Sequence, residues 1–351
     1  MRRWFSAGFE ICGALLICIL PRSSNASAQD TAALAVRLHA AAAASSIDSR
    51  DLRPWHLKVD FQLFDAKSKP IEKGTVEEWW ASPEVSRVTY TLPSYTGTQL
   101  HSKDGWFQTR SKQHEPVILS DLLEQVVNPM PDADEIDRAE PELRKQKFGN
   151  LDLDCIMLDQ ALDKLPHPPL GLFPTFCLDP GKNSLRLTTE LGSLAFIRNR
   201  VGSFQGRSVV IDLIAVSDGI DVMSAHVTTL AGLALTDADF TATPDMEAVA
   251  RNATVLTSAA VAPLILSQPY PEYPQSAKMR HVSGKVVMDA IIGRDGRIRS
   301  LHLVSASDPD FAISAIAAVR TWTYKPYTLN GAPTEVKTTV NVNFTTGEFP
   351  N

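Results

Sequence analysis

The sequence predicts an α+β protein in two parts, a long antiparallel β-rich region followed by a small hairpin, helix and strand unit. Two observations carry this. Between residues 55 and 230, short alternating or β-branched segments recur about every ten residues with turn residues between them, which favours an antiparallel meander over an α/β layer. After residue 284 the period changes from two to three or four and back to two within some sixty residues, so one helix lies between strands.

Residues 30–46, Ala-rich with Leu34, Val36 and Leu38, read as a helix. Strand segments follow at 55–64, 74–80, 85–92, 97–101 and 105–109. Residues 116–127 break the series with a helical period (Ile118, Leu119, Leu122, Leu123, Val126), and a Pro/Asp-rich loop at 129–134 ends it. Strands resume at 151–158 and continue at 184–189, 194–198, 207–216 and 221–230, with Gly192, Gly202 and Gly206 as turns. Ala238-Asp239-Phe240 and Pro244 close the region, and the Ala/Val/Thr-rich stretch 248–264 reads as a linker.

In the last unit, residues 284–292 put Val286, Met288, Ala290 and Ile292 on one face. Gly293-Arg294-Asp295-Gly296 is a hairpin turn. The return strand changes parity between Ile298 and Leu301, which predicts a bulge near Arg299-Ser300. Asp308 is placed to cap the next helix, Pro309 suits its first position and Asp310 the positive end of its dipole. Phe311, Ala315, Val319 and Trp322 form one stripe, and Pro326 cannot continue the helix. Asn330-Gly331 makes a turn before the alternating strand 336–344.

These C-terminal residues resemble the C-terminal domain of TonB, the periplasmic energy transducer. The carriers are Pro271-Glu272-Tyr273-Pro274 with Ala277, Gly284, Asp295-Gly296, the helix 312–319, Trp322-Thr323-Tyr324-Lys325-Pro326, Asn330-Gly331 and the strand ending at Phe344. The likeness spans residues 262–346. It implies a partner in the form of a short extended peptide of an outer-membrane receptor, met by the segment before Pro271 and by the last strand. Tyr270, Val336, Thr338, Val340, Val342 and Phe344 are the residues expected at that contact. Where the family has Gln just before its Pro-x-Tyr-Pro, this chain has Tyr270, and it shows no long Pro-rich charged spacer. Order of elements, with Asp239-Phe240 and Pro244 at the end, makes residues 30–245 similar to the half-barrel of LolA-like periplasmic lipoprotein carriers. That resemblance implies a half-barrel-like sheet. Phe61, Phe64, Trp79, Tyr90 and Trp106 then either line a greasy concave face or form ordinary core.

Residues 1–28 read as a secretory signal: Arg2-Arg3, an apolar run over 11–20, and Ala26-Ser27-Ala28 as the cleavage site. The run is shorter than the roughly twenty residues a spanning helix needs, although an uncleaved anchor stays open as the alternative. The expected division is 1–28 signal, 29–245 β-rich domain, 246–261 linker and 262–351 TonB-like domain. Export leaves Cys155 and Cys177, which invite one disulfide, with two buried free thiols as the alternative.

A net charge of −6 gives no ground for nucleic acid. Residues 202–206 (Gly-Ser-Phe-Gln-Gly) have the wrong order for a nucleophile elbow, and the eight histidines show no metal-ligand spacing. Neighbouring Glu77 and Glu78 point to opposite faces. No enzyme, cofactor or metal is therefore expected. The expected role is a periplasmic binding module that docks an envelope protein by strand addition, with a link to TonB-dependent transport. The alternatives are an anchored TonB-type transducer component, touching the membrane through the uncleaved segment, and a lipid or lipoprotein carrier.

Overall fold

The structure is a computed structural model. It describes residues 24–109, 116–159, 170, 173–190, 194–217, 219–235, 240–249, 253–329 and 332–345. Residues 1–23 of the expected signal, Gly192, Asp239 and the Asn330-Gly331 turn lie outside the described residues.

The described residues open with α1 (Ser24–Ser45), which includes Ala26-Ser27-Ala28, and enter a large antiparallel sheet. Its first strands are β1 (Trp55–Phe64), β2 (Pro70–Ser82), β3 (Val85–Thr91), β4 (Thr96–Ser102) and β5 (Gly105–Thr109). Helices α2 (Val117–Val127) and α3 (Ala133–Arg138) interrupt it. It continues with β6 (Glu140–Phe148), β7 (Leu151–Asp159), β8 (Thr175–Leu178), β9 (Leu185–Glu190), β10 (Leu194–Phe204), β11 (Arg207–Ser217), β12 (Ile220–Gly232) and β13 (Met246–Ala248). The strand order is β13-β5-β4-β3-β2-β1-β12-β11-β10-β9-β8-β7-β6, so two meanders join where β1 pairs with β12. Alternation explains the burial: Trp55, Leu57, Val59 and Phe61 of β1 face inward. They pack with Val76 and Trp80 of β2 and with Leu119, Leu122 and Val126 of α2.

Four elements here were not anticipated: α3, β6, β8 and β13. The loop expected at 129–134 gives way to α3 from Ala133, and β6 precedes the strand expected at 151. Strand β6 is a sheet edge with a half-exposed, charge-rich sequence, so it lacks the apolar alternation that marks a strand. Its neighbour β7 holds Cys155 directly opposite Cys177 of β8, and the two form a disulfide.

The second unit contains β14 (Thr254–Val255), α4 (Ser258–Val261), β15 (Ile265–Ser267), α5 (Gln275–Met279), β16 (Gly284–Ile292), β17 (Ile298–Ala306) and α6 (Pro309–Val319). The short strands β18 (Thr323–Tyr324), β19 (Thr328–Leu329) and β20 (Ala332–Pro333) lead into β21 (Val336–Phe344). Its main sheet has the order β14-β21-β16-β17. Within the stretch read as linker, β13 pairs with β5 of the first sheet and β14 runs parallel to the start of β21. The expected hairpin forms, and the register skips Arg299 between Ile291↔Ser300 and Ile292↔Ile298. The predicted bulge is therefore present, and a second one falls at Val304, between Val287↔Ser305 and Met288↔Leu303.

Helix α6 covers the sheet. Asp308 caps it, its side chain accepting from the Asp310 amide at 3.0 Å, and Pro309 occupies the first turn. Phe311, Ala315, Val319 and Trp322 are buried as the stripe predicts. The two units also share packing: Met157 of β7 and Phe173 lie in the same apolar cluster as Val286, Met288 and Phe311.

Candidate docking edge of the C-terminal sheet

Strand β21 alternates strictly. Val336, Thr338, Val340, Val342 and Phe344 are all buried beneath α6, while Lys337, Asn341 and Asn343 are exposed. Each inward apolar side chain contributes roughly 1.5–3 kcal/mol relative to an exposed one, so the register is firmly set. Main-chain direction follows from the pairing. In an antiparallel ladder a residue turns both its N–H and its C=O to the same neighbour, and the next residue turns both the other way. The Thr254 amide donates to the Glu335 carbonyl at 2.7 Å and the Leu256 amide to the Lys337 carbonyl at 2.9 Å. Odd-numbered residues of β21 therefore address the outer edge, and even-numbered ones address β16.

The structure thus brings the five expected residues of β21 together on one face, with their side chains in the core and their main-chain groups committed to β16. The groups left for an incoming strand belong to the residues between them. Strand β14 covers the edge up to Lys337, and the Ser258 hydroxyl donates to the Thr339 carbonyl. Asn341 and Asn343 have no strand partner on that side among the described residues. Sequence reasoning missed them because alternation tells which side chains are buried and not which edge the neighbouring main chain faces.

Tyr270 stands on an anchored strap. The Trp322 indole donates to the Pro269 carbonyl at 3.0 Å, and the Ser314 hydroxyl donates to the Glu272 carbonyl. The Tyr273 hydroxyl donates to the Val282 carbonyl. The Tyr273 ring meets Phe311 at 5.5 Å and Phe344 at 5.9 Å, both edge-on, and Phe311 stacks on Phe344 at 4.3 Å. The strap therefore runs from the end of α6 to the end of β21. Tyr270 itself is 92% exposed, a large aromatic held out into solvent by fixed neighbours.

Electrostatics hold the supports of this edge in place. Arg280 clamps Asp308 through two bonds at 2.6 and 3.1 Å and reaches Asp310 at 3.1 Å. That guanidinium holds the Asp308 carboxyl below its usual value. In the hairpin turn, Gly296 has φ +81° and its carbonyl accepts from the Tyr324 amide at 2.7 Å; a Cβ there would collide with the Tyr324 carbonyl. Burial pushes the Tyr324 phenol up to about 12.

The five aromatics considered for a concave lining are dispersed. Phe61 and Tyr90 lie in the first core, against α2. Trp79 stacks on His56 at 4.9 Å with the Arg87 guanidinium over its ring, and Trp106 stacks on His101 at 3.8 Å. Phe64 is half-buried at the end of β1. No group of His, Cys, Asp and Glu fit to hold a metal occurs among the described residues, and no helix among them is long and apolar enough to cross a membrane.

Three solved structures resemble parts of the chain. The crystal structure of a LolA superfamily protein from Nitrosomonas europaea is 12% identical, the match covering 58% of this chain and 97% of that one, with a TM-score of 0.39. A DUF1329 family protein from Desulfovibrio piger is 9% identical over 61% of this chain and 96% of its own, with a TM-score of 0.38. The solution NMR structure of the Pseudomonas aeruginosa TonB CTD is 23% identical over 24% of this chain and 88% of its own, with a TM-score of 0.22. No curated protein matches the chain. Residues 269–346, which hold the strap, the hairpin, α6 and β21, match the family described as Gram-negative bacterial TonB protein C-terminal.

Proposed function

We propose that this chain is an exported, non-enzymatic binding module of the bacterial cell envelope. It docks an outer-membrane or periplasmic protein whose extended segment adds as a strand at the outer edge of β21. The observation that carries this reading is the pair of outward main-chain positions at Asn341 and Asn343, on a strand whose register is locked by five buried side chains. The family match over 269–346 supports a protein partner in the envelope. It also supports a link to TonB-dependent transport. The secretory character of residues 1–28 supports a periplasmic location. Tyr270 is the side chain best placed to add specificity, because its strap is fixed and its ring is free to be covered.

The test is a photo-crosslinking amino acid at position 343 in the full chain in its own cells, with and without Asn341→Pro. Proline removes the outward N–H and leaves the bonds to β16 intact, so the fold tolerates it as edge strands tolerate proline. The expected result is a crosslink to an outer-membrane or periplasmic protein that Asn341→Pro abolishes, with thermal melting little changed. A crosslink that survives Asn341→Pro would contradict docking at this edge.

A further inference from the structure

The C-terminal sheet has a second edge. Among the described residues β17 pairs with β16 alone over its length, in the pairs Ile291↔Ser300 and Asp289↔His302. Odd-numbered residues of β16 face β17, so these are the bonded pairs. Leu301 and Leu303 then turn their main-chain groups outward while their side chains stay in the core. Beside the start of this edge lies a cleft of about 430 Å³, between the β16–β17 hairpin and the α2–α3 arm of the first unit. That size suits a short segment or small ligand.

The lining combines two chemistries. Met130, Pro131, Phe176 and Leu301 supply apolar surface. Glu124 and Glu135 supply carboxylates, each held above its usual value chiefly by burial; Asp132 and then Glu124 add to the shift of Glu135, and Arg138 opposes it. Two arginines, Arg294 and Arg299, also line the cleft, and Arg299 bonds Glu335 at 2.9 Å and pairs with Glu124 at 3.6 Å. The four carboxylates of the lining, Asp121, Glu124, Glu135 and Glu335, outnumber those two guanidiniums, so the cleft is net negative beside a strand edge that has no partner among the described residues.

We propose that this cleft takes an extended peptide segment bearing a lysine or arginine, which adds to β17 as a strand and sets its basic side chain between Glu124 and Glu135. The main-chain bonds come from Leu301 and Leu303, apolar neighbours of the basic residue lie on Met130 and Phe176, and the carboxylates select the charge. The site is separate from the β21 edge, because β16 and β21 lie between the two edges.

Fluorescence anisotropy on the full chain tests this, with a labelled Thr-Val-Lys-Val-Thr peptide as the probe. Three companions are needed: the same peptide with Glu in place of Lys, a version methylated on alternate amide nitrogens, and the Glu124→Gln/Glu135→Gln variant. The expected result is saturable binding of the Lys peptide, weakened about tenfold or more by the double variant and lost on Glu substitution or N-methylation. Asn341→Pro should leave it unchanged. Absence of saturable binding, equal binding of the Glu peptide, or indifference to N-methylation would overturn the proposal. Loss on Asn341→Pro would also overturn it, by moving the peptide to the other edge.

Discussion

Thr338 shows how closely a side chain and its own main chain can differ in role. Its hydroxyl is buried without a hydrogen-bond partner under α6, and its main chain serves β16. A buried, unpaired hydroxyl costs stability, and an isosteric apolar group removes that cost. Thr338→Val should therefore raise stability by about 1 kcal/mol in urea denaturation and leave partner capture unchanged. A loss of stability would show that the hydroxyl holds a bond. Glu78 is a second such case. It faces inward from β2, Asp48 adds negative charge nearby, and burial pushes its carboxyl from 4.5 up to about 8. A raised folded-state value means the folded chain binds a proton that the unfolded chain releases. The stability it carries is present below about pH 4.5 and is lost as pH rises through 8. Glu78→Gln should melt several degrees above the parent at pH 9 and converge with it below pH 4. A constant difference across that range would contradict the burial account.

At the scale of elements, local rules were readable and edges were not. The Asp308 cap, the Arg299 bulge and the α6 stripe each follow from residue types at fixed spacing, and each is present. Strand β6 hid because one side of it has no neighbour among the described residues and its sequence is charged. Strand β14 hid because two residues carry no periodicity, and its pairing with β21 is a tertiary fact. The Cys155–Cys177 disulfide was legible as one of two options, from export and the two cysteines it leaves. It closes the chain between two neighbouring strands 22 residues apart. Such a loop contributes on the order of 3 kcal/mol in the chain-entropy picture. Cys155→Ala/Cys177→Ala should lower the unfolding free energy by about that amount, read from the urea midpoint. A reductant should shift the parent midpoint to match and leave the variant unmoved.

At the scale of the molecule, the two units do not behave as beads on a string. Met157 and Phe173 of the first unit enter the core of the second, and Arg299 of the second approaches Glu124 of the first. Two blocks of pattern are legible in the residues but this contact is not, because side chains distant in sequence meet only after both sheets form. The same reason explains the candidate site: five residues of β21 were recognisable, whereas the outward edge at Asn341 and Asn343 depends on register with β16. The measurement that tests strand addition most directly is amide hydrogen exchange of the full chain with and without its captured partner. Strand addition at this edge predicts fast exchange at Asn341 and Asn343 in the free protein and strong protection of both on binding, with Val340 and Val342 slow throughout. Protection that appears elsewhere while these two amides stay fast would contradict it.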